Sequence, residues 1–323
     1  MLRTFIAVPL LLATPLAHAQ SHSTGSGQAY PSRPIRMIVA STPGSGVDIV
    51  ARMMAARMSE TLKSTLVVDN RAGAGGTIGC QITAKSPPDG YTILMAAPSL
   101  TINALLVKPA PYDAVRDFSA IGQATTSHYV IVVNPTVPAK NVKELIALAR
   151  AKPGQLNYGS GGNGNSTHLA GEFFKGLTGA DIVHVAYKGS GPAIVDLIGG
   201  QVQVMFANVV AVLTHMRSGK MRALATTGPK RAAATPELPT VVESGVPGYV
   251  VTSWFGLVAP ARTREAQIAK LNAALVSALQ DRETIDRLAA DGAEPAAGTP
   301  DAFGRHMAAE LAIWSKVMKA SGL

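Results

Sequence analysis

At 323 residues, with 47% apolar and 15% charged side chains, the chain has a globular composition and excludes a largely disordered protein. Its formal charge of +9 raises nucleic acid as a partner, but Arg33, Arg36, Arg52, Arg57 and Lys63 alternate with apolar residues, no Lys/Arg run occurs and aromatics are only 5%. Nucleic-acid binding needs a clustered basic face or stacking aromatics, so a diffuse field that attracts small anions fits better.

Met1 to Ala19 reads MLRTFIAVPLLLATPLAHA: Arg3, an apolar stretch from Phe5 to Ala13, then Ala17-His18-Ala19. This pattern predicts a secretory signal peptide over residues 1–19, cleaved after Ala19, and hence an exported, periplasmic protein. The apolar run falls short of the roughly 20 residues that a membrane span needs. No cysteine sits at the cut to carry a lipid anchor. The lone Cys80 cannot form an internal disulfide. A mature chain of about 300 residues can bury a sufficient core without one, and its length suggests two domains.

Residues 20–29 are Ser/Gly-rich and read as a flexible lead-in. Strand and helix patterns then alternate. Ile35–Ala40 is an apolar strand, Asp48–Leu62 a helix, Leu66–Val68 a strand and Gly79–Lys85 a helix. Pro87-Pro88-Asp89-Gly90 is a turn before the strand Tyr91–Ala96. A second series opens at Tyr129–Val133. Helices follow at Lys143–Ala151, Thr167–Leu177 and Pro192–Ile198, and strands at Leu156–Tyr158, Val183–Val185, Val202–Phe206 and Arg222–Ala225. Beyond a Pro-rich connector come the segment Trp254–Ala259 and helices near Arg264–Gln280, Thr284–Ala290 and Pro300–Lys319. The alternation predicts an α/β fold with parallel sheets. Two consecutive units imply two lobes joined by a hinge with two crossovers, a preferred place for a ligand. Lobe I is expected over residues 30–127 and 229–323 and lobe II over 128–228, with the second crossover between 226 and 250. The terminal helices are expected to pack back on lobe I.

Three glycine-rich loops could carry chemistry. Thr42-Pro43-Gly44-Ser45-Gly46-Val47-Asp48 joins a strand to a helix, so free backbone N–H groups and the helix dipole favour an anion, most naturally a carboxylate. The same segment also fits a plain turn in which Asp48 stabilises the helix start. In the second unit, Gly159-Ser160-Gly161-Gly162-Asn163-Gly164-Asn165-Ser166-Thr167-His168 suits close approach of backbone to a ligand. Ser166 or Thr167 could cap the next helix or donate to an anion, and His168 could donate to a ligand. Gly159, Gly161 and Gly164 also match the dinucleotide fingerprint, with Asp181 at a suitable distance, but polar residues continue where a helix should begin. Tyr187-Lys188-Gly189-Ser190-Gly191-Pro192 is the third loop, with Lys188 either paired with a carboxylate or solvated. Ser99 follows the third strand at a comparable edge. Neither a G-x-S-x-G elbow nor an H-E-x-x-H pattern occurs, so the sequence predicts no catalytic residue, no metal and no cofactor. Trp254 and Trp314 read as core or interface aromatics.

With these loops in place, the chain resembles the tripartite tricarboxylate transporter substrate-binding family, also called Bug proteins. The likeness runs from Tyr30-Pro31-Ser32-Arg33-Pro34-Ile35 to Lys319-Ala320-Ser321-Gly322. It is carried by Asp69-Asn70-Arg71-Ala72-Gly73-Ala74-Gly75-Gly76, Pro88-Asp89-Gly90-Tyr91-Thr92, Leu156-Asn157-Tyr158-Gly159-Ser160 and Val185-Ala186-Tyr187-Lys188-Gly189. Gly199–Phe206 and Ser253-Trp254-Phe255-Gly256-Leu257 continue it. The resemblance implies a two-lobe, type II periplasmic binding protein that closes like a flytrap on a small carboxylate held by backbone amides and hydroxyls. By position it points to Ser45, Gly46, Asp48 and Ser99 in one lobe and Ser160, Gly161, Ser166, Thr167 and His168 in the other. Three departures bear on ligand identity: Ser41 stands where relatives carry an aromatic, Ser45 replaces a glycine, and Ala207 replaces an Asp, leaving Asn208 as the nearest polar group. A less enclosed pocket with fewer acidic groups, holding a bulkier or uncharged-tail acid, would follow. The expected partners are a small carboxylate and the membrane subunits of a tripartite tricarboxylate system, with no nucleic acid, and the chain is expected to be a monomer. A sensor presenting its closed form to a membrane signalling protein, or a secreted hydrolase, are the alternative readings.

Overall fold

The computed structural model describes residues 30–321, so the expected signal peptide and lead-in lie outside the described residues. Strand β1 (Ile35–Val39) is almost wholly apolar because both its faces are covered: Ile35, Met37, Ile38 and Val39 are fully buried. Helix α1 (Gly46–Leu62) returns the chain, burying Val47, Val50, Ala51, Met54, Met58 and Leu62 at helical spacing, and ends at Lys63 in the left-handed region. Strand β2 (Leu66–Asn70), helix α2 (Thr77–Ala84), strand β3 (Thr92–Ala96) and helix α3 (Ser99–Leu106) complete the first series. Strands β2 and β3 flank β1 in parallel.

Strand β4 (Phe118–Val133) links the two halves of the molecule. It is followed by α4 (Val142–Ala151), β5 (Leu156–Ser160), α5 (Ser166–Thr178), β6 (Ile182–Ala186), α6 (Ser190–Ile198), β7 (Val204–Asn208), α7 (Val209–Arg217) and β8 (Arg222–Thr226). Then come β9 (Thr252–Pro260), α8 (Glu265–Gln280), α9 (Arg282–Ala290), β10 (Ala293–Pro295) and α10 (Pro300–Ser321). The strand order is β2-β1-β3-β9-β4-β7-β5-β6, with β8 and β10 added on β4. Residues 118–128 of β4 pair with β9, whereas 129–133 pair with β7 and β8. One continuous strand therefore serves both lobes, and the change of partner at His128–Tyr129 is the first crossover.

Three findings modify the sequence reading. Strand β4 begins eleven residues before the predicted Tyr129, because Ser119, Gln123, Thr125, Thr126 and Ser127 are polar and mask the strand, and two bulges break its register with β9. The connector after β8 packs with the second half: Val241, Val246, Tyr249 and Val251 join its core, so the chain returns at Thr252, just beyond the expected interval of 226 to 250. Helix α10 does not rest on lobe I alone. Phe303 and Met307 pack beside Trp254, while Trp314 and Met318 enter the lobe II core.

Candidate functional site

The N-termini of α1, α3, α5, α6 and α7 converge between the lobes, each helix starting where a strand ends or just beyond. They line a small cleft with a cavity volume of about 40 Å³. Its lining includes Ser41, Ser45, Gly46 and Ser99 from lobe I and Asn165, Ser166, Thr167, Ser190 and Asn208 from lobe II. Tyr129, Ser253 and Phe255 come from the hinge strands, and Val47, Cys80, Leu94 and Met95 add apolar surface. No Lys, Arg, His, Asp or Glu is among the lining residues. Five helix N-termini therefore supply the positive potential, each worth about 0.3–1 kcal/mol to an anion at its end.

Two hydroxyls in this lining have no partner of normal geometry. Ser45 Oγ and Ser253 Oγ are buried and unbonded, and Ser45 and Ser253 are only 3% and 2% exposed. A buried polar group left unpaired costs about 1–3 kcal/mol, so both atoms are donors and acceptors poised for an occupant. Gly46 allows the lobes to meet, since a Cβ there would stand 2.8 Å from Asn208 Oδ1. Asn208 caps α7 by accepting the Val210 N–H and donates to Ser127 Oγ at 2.9 Å.

Of the residues singled out from sequence, the structure brings Ser45, Gly46, Ser99, Ser166, Thr167 and Asn208 to the cleft and places Asp48, Ser160, Gly161 and His168 behind it. Asp48 braces its own loop. Its carboxylate accepts Gly44 N–H at 3.0 Å and Asn70 Nδ2 at 2.9 Å and pairs with Arg52 at 3.0 Å. Ser160 Oγ lies 2.6 Å from His184 Nε2 and accepts Gly162 N–H. Gly161 donates its N–H to Thr167 Oγ1, which in turn donates to Asn165 Oδ1. His168 Nδ1 accepts Gly164 N–H. Lys188 is exposed and outside the lining. Ala207 is a core residue, so replacement of an acid there opens no gap in the cleft.

Sequence reasoning missed Tyr129, Asn165, Ser190, Ser253 and Phe255 as lining residues. Period-two alternation was the usable signal for two of them, because Ser253 and Phe255 face the cleft while Trp254 turns into the core and donates to Glu310. Burial pushes the Tyr129 phenol up to about 12, offset in part by the neighbouring Ser166 and Ser253 hydroxyls. Burial likewise pushes the Cys80 thiol up to about 12, which keeps it protonated and unreactive. Among the described residues, no group of three or more His, Cys, Asp or Glu could hold a metal ion. Among the same residues, no helix is long and apolar enough to cross a membrane.

Two α/β lobes on a shared strand, with helix N-termini aimed into a cleft between them, define a solute-binding protein of the periplasmic binding protein fold. The chain belongs to the tripartite tricarboxylate transporter receptor family, whose model matches residues 50–323. It is 40% identical over 299 residues to protein BugT of Bordetella pertussis, covering 92% of each chain. Among solved structures it resembles an R. palustris protein with adipate at 37% identity and a TM-score of 0.88, covering 91% of this chain and 98% of that one. The periplasmic binding protein BugD matches at 33% identity and 0.88, covering 91% and 99%. MatC from Rhodopseudomonas palustris, with bound malate, matches at 29% and 0.85, covering 89% and 99%.

Proposed function

We propose that the chain is an exported periplasmic receptor that closes its two lobes on a small carboxylate and delivers it to the membrane subunits of a tripartite tricarboxylate-type transporter. The observation that carries this reading is the cleft itself: unpaired Ser45 and Ser253 hydroxyls and five helix N-termini, with no charged side chain to demand a particular counter-ion. Neutral donors stabilise an anion without a fixed salt bridge, which keeps release from being prohibitively slow. Ser45, the Gly46 amide and Ser99 act from lobe I; Ser166, Thr167 and Asn208 act from lobe II. We take lobe I as residues 30–127 with 252–323 and lobe II as 128–251, working as a monomer after cleavage at Ala19. That two structural relatives are described with adipate and with malate favours a dicarboxylate.

Thermal unfolding of the mature protein, refolded to remove bound ligand, tests the reading against mono-, di- and tricarboxylates, aromatic acids and amino acids. An acid at 100 times its dissociation constant adds about 2.7 kcal/mol, a rise of several degrees in Tm. A rise confined to one acid class supports capture and names that class. No rise across the whole panel, on folded and stripped protein, sinks it.

A further inference from the structure

Behind the cleft, lobe II holds an imidazole pair. His168 lies in the first turn of α5 and His184 in β6, and their rings stack with 4.1 Å between centroids and 26° between planes. Tyr158 of β5 stacks on His184 at 4.9 Å. Each imidazole fixes part of the 161–165 loop. His184 Nε2 bonds Ser160 Oγ at 2.6 Å, and that oxygen accepts Gly162 N–H at 3.1 Å. His168 Nδ1 accepts Gly164 N–H at 3.3 Å. A ring nitrogen that accepts an N–H carries no proton, so this last bond exists only with neutral His168.

The shaped loop is what meets lobe I. A Cβ at Gly75 would stand 2.0 Å from Asn163 O, and one at Gly164 would stand 2.1 Å from Asn103 Oδ1. Beyond the loop, α5 begins with Ser166 and Thr167, both in the cleft lining. The charged and titratable groups facing the pair are Glu172 and Lys175 of α5, 3.0 Å apart, and Tyr158, whose OH donates to Glu172 at 2.5 Å. Lobe I opposes the loop with Gly75 and Asn103, neither of which ionises.

We propose that the His168–His184 pair is a positioning device for the lobe II loop: neutral, it holds the loop against lobe I with the cleft shut, and on taking up a proton it frees Gly164, loosens closure and releases the carboxylate. This rests on the capture reading above. Burial lowers the proton affinity of both rings, His184 to about 4, where the neighbouring His168 adds to the effect and Glu172 opposes it. Protonation of His168 Nδ1 removes the acceptor of the Gly164 N–H, so the proton is taken up more readily once the loop has let go of the ring. The form with the loop released then holds more protons than the closed one, so closure weakens as the pH falls below the ordinary 6.5 and through the lowered value of His168.

Isothermal titration with adipate as the probe, together with NMR of the histidine-labelled mature chain, tests the proposal. Once the protonation of the acid itself is subtracted, wild type is expected to lose at least about tenfold in affinity for the adipate dianion between about pH 7 and about pH 5, the effect of one linked proton. His168→Asn sets a non-titrating amide oxygen where Nδ1 stands and keeps an acceptor for Gly164 N–H, so the profile flattens to within about threefold. In the unliganded chain the Gly164 amide resonance moves with the His168 titration. An unchanged pH profile in His168→Asn overturns the proposal, as does a His168 that titrates at its ordinary value while the Gly164 amide stays still. Should adipate bind at neither pH, capture of that acid fails, and the Gly164 titration still decides the positioning claim.

Discussion

The two glycine-rich loops that face each other across the cleft look interchangeable as sequence and behave oppositely as structure. In the lobe I loop, Asp48 takes the bracing bonds from Gly44, Asn70 and Arg52, and this leaves Ser45 Oγ buried and unbonded at the cleft. In the lobe II loop the polar groups bond one another: Ser160 with His184, Gly161 with Thr167, Gly164 with His168. One loop is braced from outside and free inside; the other is internally cross-linked and presents its backbone to the opposite lobe. Similar composition thus yields a free buried hydroxyl at the cleft in one case and a bonded loop set against the opposite lobe in the other.

The largest expected effect breaks that contact between the lobes. Gly75→Ala places a methyl against Asn163 O at a position with φ +64, so the closed form rises in energy while each lobe keeps its own core. Affinity for the cognate acid should fall about 100-fold, or about 2.7 kcal/mol, with only a small loss in Tm. Binding at wild-type strength would mean that the loops need not meet. Next comes the brace. Asp48→Ala strands three donors, and chemical denaturation should register a loss of about 1–3 kcal/mol in stability, larger than its effect on affinity. A purely binding defect would return Asp48 to the ligand. Smallest is the free hydroxyl: Ser45→Ala should weaken binding about tenfold, read by calorimetry, with stability unchanged or slightly raised because an unpaired buried oxygen is removed.

Much of the fold was legible because strands buried on both faces write themselves as apolar runs: Ile35–Val39 and Tyr129–Val133 could be seen without context. The first half of β4 was not, since its polar residues acquire strand geometry only by pairing with β9 more than a hundred residues later. At the site, the strand-to-helix junctions located Ser45, Ser99, Ser166 and Thr167. Their spacing could not say which hydroxyl is already bonded. Ser45 and Ser160 occupy similar loop positions, and only the packing of His184 from a neighbouring strand separates them. Contributions from the hinge, such as Tyr129 and Ser253, depend on the crossing of β4 and β9 and have no local motif.

The chain has two tryptophans, and both indole N–H groups donate to the same Glu310 oxygen, Trp254 at 3.1 Å and Trp314 at 3.0 Å. That shared acceptor sits on α10 between the part that packs in lobe I and the part that enters lobe II. Any movement of one lobe against the other pulls on this three-residue junction and changes the polarity around an indole. Intrinsic emission is therefore a dye already installed at the hinge, able to time the opening stroke in the unmodified protein.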